Sequence, residues 1–323
     1  MAKRKRLKNK KKYRVKNWKE YNEALKRRGS VDLWISESVL NSWYAQKHTG
    51  KKGHPQLYAN STIQCALTLQ AVFRLPLRAT QGFLKSILEL LNLSKLPTPD
   101  YSTLSRRRNA IQVILPYTKP GGTINIVLDS TGLKVYGEGE WKVRQHGYTK
   151  RRTWRKLHLA LDPKTHMIES SVLTTNSCSD SQVFSDLLRQ VNKNVKIASV
   201  SGDGAYDTKT CYEMLEKRGA KAKIPPRRNA RCSRQNEIEG GFSPGNARNE
   251  NLRTIQNIGR KQWKQQSGYH SRSLAETAMF RFKKIFGGSL SSRTLPNQVV
   301  EAHIKCYALN RMSAIGMPVS VAV

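Results

Sequence analysis

A short stretch near the carboxyl end of the chain carries a Tyr, an Arg, a Glu and a Lys at spacings that suit one helical face. On a helix with roughly 100° per residue, Tyr269, Arg272 and Lys283 all lie within about 40° of Glu276. Between residues 251 and 300, Glu276 is the only acid against nine Lys and Arg. Two alternatives follow. Glu276 is either a surface ion-pair partner of Arg272 or a functional acid that needs cations beside it.

Two further acids stand at the ends of sequence runs that are typical of buried strands. The run TINIVLD closes on Asp129, and KIASVSGDGAYD places Asp203 between two glycines. Taken alone, each Asp suits a cap or turn role equally well. If the fold brings both together with Glu276, the three carboxylates repel one another and require cations, and Mg²⁺ prefers such hard oxygen ligands. Two such ions can stabilise the entering and leaving oxygens when a phosphodiester is broken.

The elements that must position these acids are predicted from hydrophobic periodicity. After a linker at 117–122, the pattern predicts three strands, a helix, a strand, a helix and a short strand. A long basic loop at 225–260 and the helix that carries Glu276 follow. The second and third strands form a hairpin across PKTH. The two Asp residues are therefore expected at strand tips and the Glu on a helix.

Three short helices precede the linker, and the third is predicted from Tyr101 to about Leu115. Its first turns expose Ser and Thr together with Arg106, Arg107 and Arg108. This composition suits either a helix-turn-helix-like DNA reader or an ordinary helical bundle with a basic surface.

The net charge of the chain indicates which class of molecule it binds. The chain has 58 Lys and Arg against 22 Asp and Glu, a formal charge of +36, which favours a polyanion such as nucleic acid. Residues 1–16 are predicted to be a disordered basic arm that contacts the DNA backbone, with a solvated charge run as the alternative. No apolar run is long enough for a membrane span, and no signal peptide is expected. The five scattered cysteines favour a reducing cytosol over a disulfide framework or a structural zinc site.

Several other side chains have two open roles. Trp141, Trp154 and Trp263 suit either core packing or stacking on a displaced base at a DNA end. A second group of acids is predicted to serve in turns or caps: Asp162, Asp180 and Asp207.

The motifs together carry a family resemblance. The stripe around Glu276 matches the signature Tyr-x2-Arg-x3-Glu-x6-Lys, and IVLDSTGLKVYGEGEW and GDGAYD match the segments that bear two Asp residues. With RVKNWKEYNEALKRRGSVDLWI, PDYSTLSRR and RQHGYTKRRTWRKLHLALD, the chain resembles bacterial insertion-sequence transposases of the insertion-sequence family five branch. The resemblance spans nearly the whole chain.

The resemblance implies an α/β fold with a ribonuclease-H-like catalytic domain at 117–323, which is a mixed β-sheet with flanking helices. A small all-α DNA-binding domain at 17–116 is expected before it. Asp129, Asp203 and Glu276 become the catalytic residues and the ligands of Mg²⁺ (or Mn²⁺), with two ions expected. DNA contacts are expected from the following side chains: Tyr269, Arg272, Lys283, Arg106, Arg107, Arg108, Arg151 and Arg152.

The implied function is that of an enzyme that binds the terminal inverted repeats of an insertion sequence, hydrolyses the ends to 3′-hydroxyls and joins them to target DNA. Its partners would be double-stranded DNA and a second copy of the chain, in the bacterial cytoplasm near the nucleoid. Two alternatives remain open: a catalytically decayed DNA-binding regulator, and a metal-dependent nuclease without strand transfer.

Overall fold

The computed structural model of the chain describes residues 13–46, 55–115, 122–135, 154–232 and 246–322. The helices are α1 (Trp18–Arg27), α2 (Glu37–Asn41), α3 (Asn60–Phe73), α4 (Leu77–Leu90), α5 (Tyr101–Arg107), α6 (Phe184–Gln190), α7 (Lys209–Lys217), α8 (Asn246–Ile258), α9 (Arg260–Gln266), α10 (Ser273–Phe286) and α11 (Leu295–Ile315). The strands are β1 (Tyr13–Val15), β2 (Thr123–Val135), β3 (Trp154–Leu161), β4 (Ile168–Thr175), β5 (Lys196–Ser201), β6 (Lys221–Lys223), β7 (Ser289–Leu290) and β8 (Ser320–Ala322).

The central sheet has the order β4-β3-β2-β5-β6, and β7 pairs with the end of β2. Strands β2, β3 and β4 are antiparallel, whereas β5 and β6 run parallel to β2. A mixed α/β fold with a mixed sheet and flanking helices was predicted from the sequence, and this part of the prediction is confirmed. The predicted hairpin across PKTH is the β3–β4 pair.

Each face of the sheet has its own hydrophobic cluster, because side chains alternate along a strand. In β2, Ile124, Ile126 and Leu128 point to a cluster that contains α6 and α7. Val127 and Leu133 point to the other face, where α3, α4, α10 and α11 pack. Odd-numbered residues of β2 therefore face the layer that contains α10.

The helices before the linker bury their apolar faces against the rest of the protein as well as against one another. Buried side chains of α3, α4 and α5 belong to the same cluster as Val127 of β2 and the long helix α11. The continuous cluster crosses the boundary proposed at residue 117, so the division of the chain into a separate DNA-binding domain and a catalytic domain stays a prediction.

Three predicted segments differ from the structure. Tyr13–Val15, placed in the disordered arm, form β1 and pair with β8 at the other end of the chain. The third early helix ends at Arg107 and continues only as a 3₁₀ turn to Ala110, because the β-branched run that follows and Pro116 oppose helix. The segment predicted as a basic loop contains α8. This helix was not predicted because distant contacts stabilise it: the Asn251 amide donates to the Ala222 carbonyl.

No helix in the described part of the chain is long and apolar enough to cross a membrane.

Candidate active site

Asp129 lies within β2, not at its tip as the sequence predicted, because β2 continues to Val135 alongside β3. The parallel pairing with β5 ends at Val127 and Ser201, two residues before Asp129. The edge of β2 is therefore open on the β5 side where Asp129 stands. Its odd position points the carboxylate toward the α10 layer.

Asp203 follows the end of β5 by two residues, so both Asp residues stand at the same edge of the parallel pair. Its carboxylate accepts a hydrogen bond from the Ala205 amide and caps a 3₁₀ turn at Gly204–Tyr206. A Cβ at Gly202 would lie 2.6 Å from the Tyr206 ring, which explains why a glycine precedes Asp203.

Glu276 comes from the first turn of α10, which packs on β2. The predicted single helix from Tyr269 is interrupted: Tyr269–Arg272 form a 3₁₀ turn, and α10 begins at Ser273. Arg272 at this junction links two of the acids. Its Nη2 lies 2.6 Å from Glu276 Oε1, and its Nη1 lies 3.3 Å from Asp129 Oδ2. The ion-pair alternative for Glu276 is thus observed, but the same Arg also joins Glu276 to Asp129.

The charges at this edge influence one another. Burial raises the pKa of Asp129, and the nearby Asp203 and Glu276 carboxylates raise it further, against the lowering effect of the Ser130 amide and Arg272. Burial alone would lower the pKa of Arg272, yet Tyr269 and the facing carboxylates raise it above its usual value. The fold therefore brings Asp129, Asp203 and Glu276 into one electrostatic group around one guanidinium.

The donor chemistry of this group fits a divalent metal, since carboxylate oxygens are the hard ligands that Mg²⁺ prefers. Within the described ranges, however, no group of three or more His, Cys, Asp or Glu side chains is arranged to hold a metal ion. Arg272 contacts two of the three carboxylates and thereby supplies a positive charge to the cluster. Arg272 therefore links Asp129 to Glu276, and Asp203 is near enough to act electrostatically on Asp129.

A second charged cluster lies on the opposite face of β2 and β3. Lys156 Nζ lies 2.8 Å from Asp180 Oδ1, and His158 Nδ1 lies 3.1 Å from the same oxygen. His158 is fully buried, and its Nε2 lies 3.0 Å from the Thr174 hydroxyl. Burial alone would raise the pKa of Asp180, but hydrogen bonds from His158, Lys156 and Ser130 lower it well below the usual range.

Sequence reasoning treated Asp180 only as a turn or cap residue. It does begin a 3₁₀ turn, but the neighbouring Ser179 and Gln182 make the capping box. The alternation of Lys156 and His158 along β3 places both on one face, and this was the sequence signal that could have revealed their cluster. Asp162 accepts hydrogen bonds within its own turn as predicted. Asp207 is instead buried and pairs with Arg248 at 2.8 Å, which links α8 to the turn that follows β5.

The residues predicted to contact DNA fall in different environments. Lys283 and Arg106 are exposed, whereas Arg107 is half-buried and donates to the Tyr58 carbonyl and the Asn60 side chain. Arg108 is only 7% exposed and donates to Ser292 and Gln70, so its guanidinium lies inside the protein and cannot contact a DNA groove there.

Tyr269 also departs from the prediction, because its ring is buried against Trp263 with centroids 6.0 Å apart. Trp263 itself is a core residue that donates to Asn251. Trp154 is half-buried beside Gly132. Trp141, Arg151 and Arg152 lie outside the described residues.

Comparisons with known proteins point to one family. A family model described as a transposase DDE domain matches residues 120–311, more than half of the chain, and a second model of the same description matches residues 26–138. Among solved structures, the chain is similar to a piggyBac transposase in a synaptic complex with hairpin DNA, with 12% identity and a TM-score of 0.39 over 87% of this chain and 73% of that chain. It is also similar to the Drosophila P element transposase in a strand transfer complex, with 10% identity and a TM-score of 0.31 over 86% of this chain and 84% of that one. At these TM-scores neither similarity transfers structural detail to this chain.

Proposed function

The chain belongs to the transposase DDE-domain family, whose members cut and transfer DNA, and we propose that it is the transposase of a bacterial insertion sequence of the family five branch. In this proposal it binds the terminal inverted repeats of its element, hydrolyses the ends to 3′-hydroxyls and joins them to target DNA. The formal charge of +36 supports a DNA substrate, since phosphate neutralisation drives such binding.

One observation carries the catalytic part of the proposal: Arg272 joins Asp129 to Glu276 at the edge where Asp203 also stands. Asp129 lies on a strand, Asp203 follows a second strand and Glu276 lies on a helix, so the fold brings acids from three elements to one open sheet edge. A carboxyl with a perturbed pKa, such as that of Asp129, beside other acids in an accessible site is typical of functional sites.

Enzymes of this family use divalent metal ions, and Asp129, Asp203 and Glu276 are the residues that would hold them here. Bound ions would supply charge stabilisation for the entering and leaving oxygens of the phosphodiester. The chain's own residues do the rest. Arg272 contacts two of the carboxylates and can donate to a phosphate as a planar fork. Lys283, which is exposed on α10, adds a point charge for the DNA backbone.

A second candidate is supported by the same contact. A DNA-binding regulator without catalysis would also keep the 2.6 Å pair between Arg272 and Glu276, as a helix-stabilising ion pair. In the enzyme Glu276 also serves catalysis, whereas in the regulator it serves only this ion pair. A substitution that keeps the shape of Glu276 but removes its charge therefore distinguishes the two candidates.

The experiment measures cleavage and strand transfer of a labelled duplex taken from each flank of the gene, with Mg²⁺ or Mn²⁺. Glu276→Gln should abolish both reactions, a loss of about a thousandfold or more for an essential group, while binding of the duplex without metal survives. Glu89→Gln is the matched control, because Glu89 is also an exposed helical acid paired at i−4, with Lys85. Activity of Glu276→Gln close to that of Glu89→Gln would reject the catalytic role of Glu276. Absence of cleavage by the wild-type protein, with binding retained, would favour the regulator. Cleavage without strand transfer by the wild-type protein would indicate a metal-dependent nuclease.

A further inference from the structure

A large cavity lies apart from the three acids of the candidate active site. Its volume is about 1030 Å³, and its walls come from α3, α5, the end of α10 and the first half of α11. Neither Asp129, Asp203 nor Glu276 lines it. The cavity is therefore a separate feature of the molecule, which the proposed DNA chemistry does not use.

Arg108 forms part of the cavity wall and is only 7% exposed. Its Nη1 and Nη2 donate to two neutral groups, the Ser292 hydroxyl and the Gln70 side chain. Its Nε is buried and has no hydrogen-bond partner among the described residues. The wall of the cavity thus contains a guanidinium donor that the protein leaves unpaired.

The charge of Arg108 also lacks a partner, since no acid in the described ranges forms an ion pair with it. Burial lowers the pKa of Arg108, and Glu301 in the same cavity wall offsets this effect only in part. The Glu301 carboxylate has other partners: Lys305 Nζ lies 2.7 Å from its Oε1, and the Ser291 and Ser292 amides donate to it. Because a buried charge without a partner is costly, an anion in the cavity would stabilise Arg108.

The lining as a whole also attracts anions. Its charged side chains are four cations and one acid, namely Arg74, Arg108, Arg293, Lys305 and Glu301. A water molecule could accept a hydrogen bond from the unpaired Nε, but it would leave the charge of the guanidinium unneutralised. An anion does both.

The same cavity offers an unpaired acceptor, which narrows the kind of anion. Asn297 Oδ1, in the first turn of α11, is buried without a hydrogen-bond partner among the described residues. Arg108 donates to Ser292, whose carbonyl accepts from Gln298, the neighbour of Asn297 in the chain. Chloride and sulfate have no hydrogen to donate to this acceptor. A phosphate group that retains a proton has ionised oxygens for a guanidinium and a hydroxyl for an amide oxygen.

We infer that this cavity binds a protonated phosphate group, which accepts from Arg108 Nε and donates its hydroxyl hydrogen to Asn297 Oδ1. The phosphodiesters of a DNA backbone carry no such proton, and the burial of Arg108 keeps a duplex away from it. The group is therefore free phosphate or the phosphate of a small monoester. A monoester would place its organic part against the apolar wall, which includes Leu75, Leu77 and Phe286.

The test measures anion binding by isothermal calorimetry on the full chain, without DNA or metal, at about pH 5.5 and constant ionic strength. At this pH inorganic phosphate and phenyl phosphate both retain a proton, whereas sulfate has none. Wild-type protein should bind one phosphate per chain, about tenfold tighter than sulfate, because only phosphate satisfies Asn297. Tighter binding of phenyl phosphate than of inorganic phosphate would identify a monoester as the ligand, and weaker or equal binding would identify free phosphate.

Two variants assign the site. Arg108→Gln should weaken phosphate binding about ten- to a hundredfold, since it removes a charged donor. Arg189→Gln, which removes an exposed Arg from α6, is the matched control for the loss of one positive charge and should bind phosphate as the wild type does. Asn297→Leu should still bind anions, but its preference for phosphate over sulfate should fall to near one. This variant keeps the proposal testable if Arg108→Gln does not fold, which circular dichroism reports.

Three results would overturn the inference. The first is weak, unsaturated phosphate binding by the wild-type protein, which would indicate general attraction to a basic surface. The second is equal phosphate affinity in Arg108→Gln and Arg189→Gln. The third is a preference for phosphate over sulfate that Asn297→Leu leaves unchanged. None of these measurements uses DNA, so none of these results bears on the proposed function.

Discussion

Two acidic clusters lie on opposite faces of the same strand pair, and their charges are balanced in opposite ways. On the α10 face, Arg272 contacts Asp129 and Glu276, and Asp203 acts electrostatically on Asp129; within the described ranges no other cation pairs with these acids. On the α6 face, the single carboxylate of Asp180 receives both Lys156 and His158. The first cluster has an excess of acid and the second an excess of donors.

The pKa directions follow from this difference. Burial and neighbouring acids raise the pKa of Asp129, whereas donors lower that of Asp180 despite its burial. Among the described residues, Arg272 contacts Asp129 and Glu276 in the first cluster, whereas Asp180 in the second pairs with both Lys156 and His158. This difference is what we expect if the first cluster receives cations and the second stabilises the fold.

The largest expected effect concerns stability. Asp180→Asn should lower the free energy of unfolding by about 2 kcal/mol, because it leaves buried His158 and Lys156 without their acid. Asp129→Asn should change it by less than about 1 kcal/mol, or raise it, since it removes a repelling charge. Urea denaturation of both variants without metal provides the measurement. Equal losses would mean that both clusters are structural.

Lowering the pH should reduce the stability that the Asp180 cluster contributes, but not that of the cluster around Asp129. Because the folded-state pKa of Asp180 is lowered, its contribution is fully present above the unfolded pKa near 4 and is lost as the pH falls through the folded value. The difference in unfolding free energy between wild type and Asp180→Asn should therefore shrink by about 1 kcal/mol or more between pH 6 and pH 2.5. A difference that stays constant over this range would show that the pair stabilises through packing alone.

The cluster of Asp129, Asp203 and Glu276 should bind metal more tightly when Arg272 is removed. Arg272→Gln should tighten Mn²⁺ binding to the DNA-free protein by about tenfold, about 1.4 kcal/mol, since the guanidinium no longer neutralises Asp129 and Glu276. Isothermal calorimetry measures this without any reaction. Arg189→Gln, which removes an exposed Arg 3.6 Å from Asp186, is the control and should leave the affinity unchanged. Weaker Mn²⁺ binding in Arg272→Gln would show that Arg272 organises the ligands rather than competing for them.

Much of the fold was predictable, because local pattern and packing agree in it. The alternating runs that became β2, β3, β4 and β5 also bury the residues that the pattern marks as apolar. The helix α8 was missed because its support comes from Asn251 and Arg248, polar side chains whose partners are distant in sequence. No local rule identifies such residues as buried.

The membership of the candidate site stays a prediction: the residue types and the strand pattern indicated Asp129, Asp203 and Glu276. The geometry around these acids was not predictable. The 3₁₀ turn at Tyr269–Arg272 was not visible in the spacing, and it buries Tyr269 while it turns Arg272 toward Asp129. Arg108 was misplaced for a similar reason: three consecutive arginines must face different directions on a helix, and one of them faces the core.

The smallest expected effect concerns two arginines at α5, one exposed and one buried. Arg106 is exposed, whereas Arg108 is buried against Ser292 and Gln70. If Arg106 contacts one phosphate, Arg106→Gln should reduce the slope of log K against log salt by about 0.9 and leave the unfolding free energy unchanged. Arg108→Gln should do the reverse: the slope stays the same, and stability falls by about 1–2 kcal/mol because buried partners lose their donor. Fluorescence anisotropy with a 20-bp duplex of random sequence, titrated at several salt concentrations, gives the slopes. An unchanged slope in Arg106→Gln would remove α5 from the DNA-binding surface.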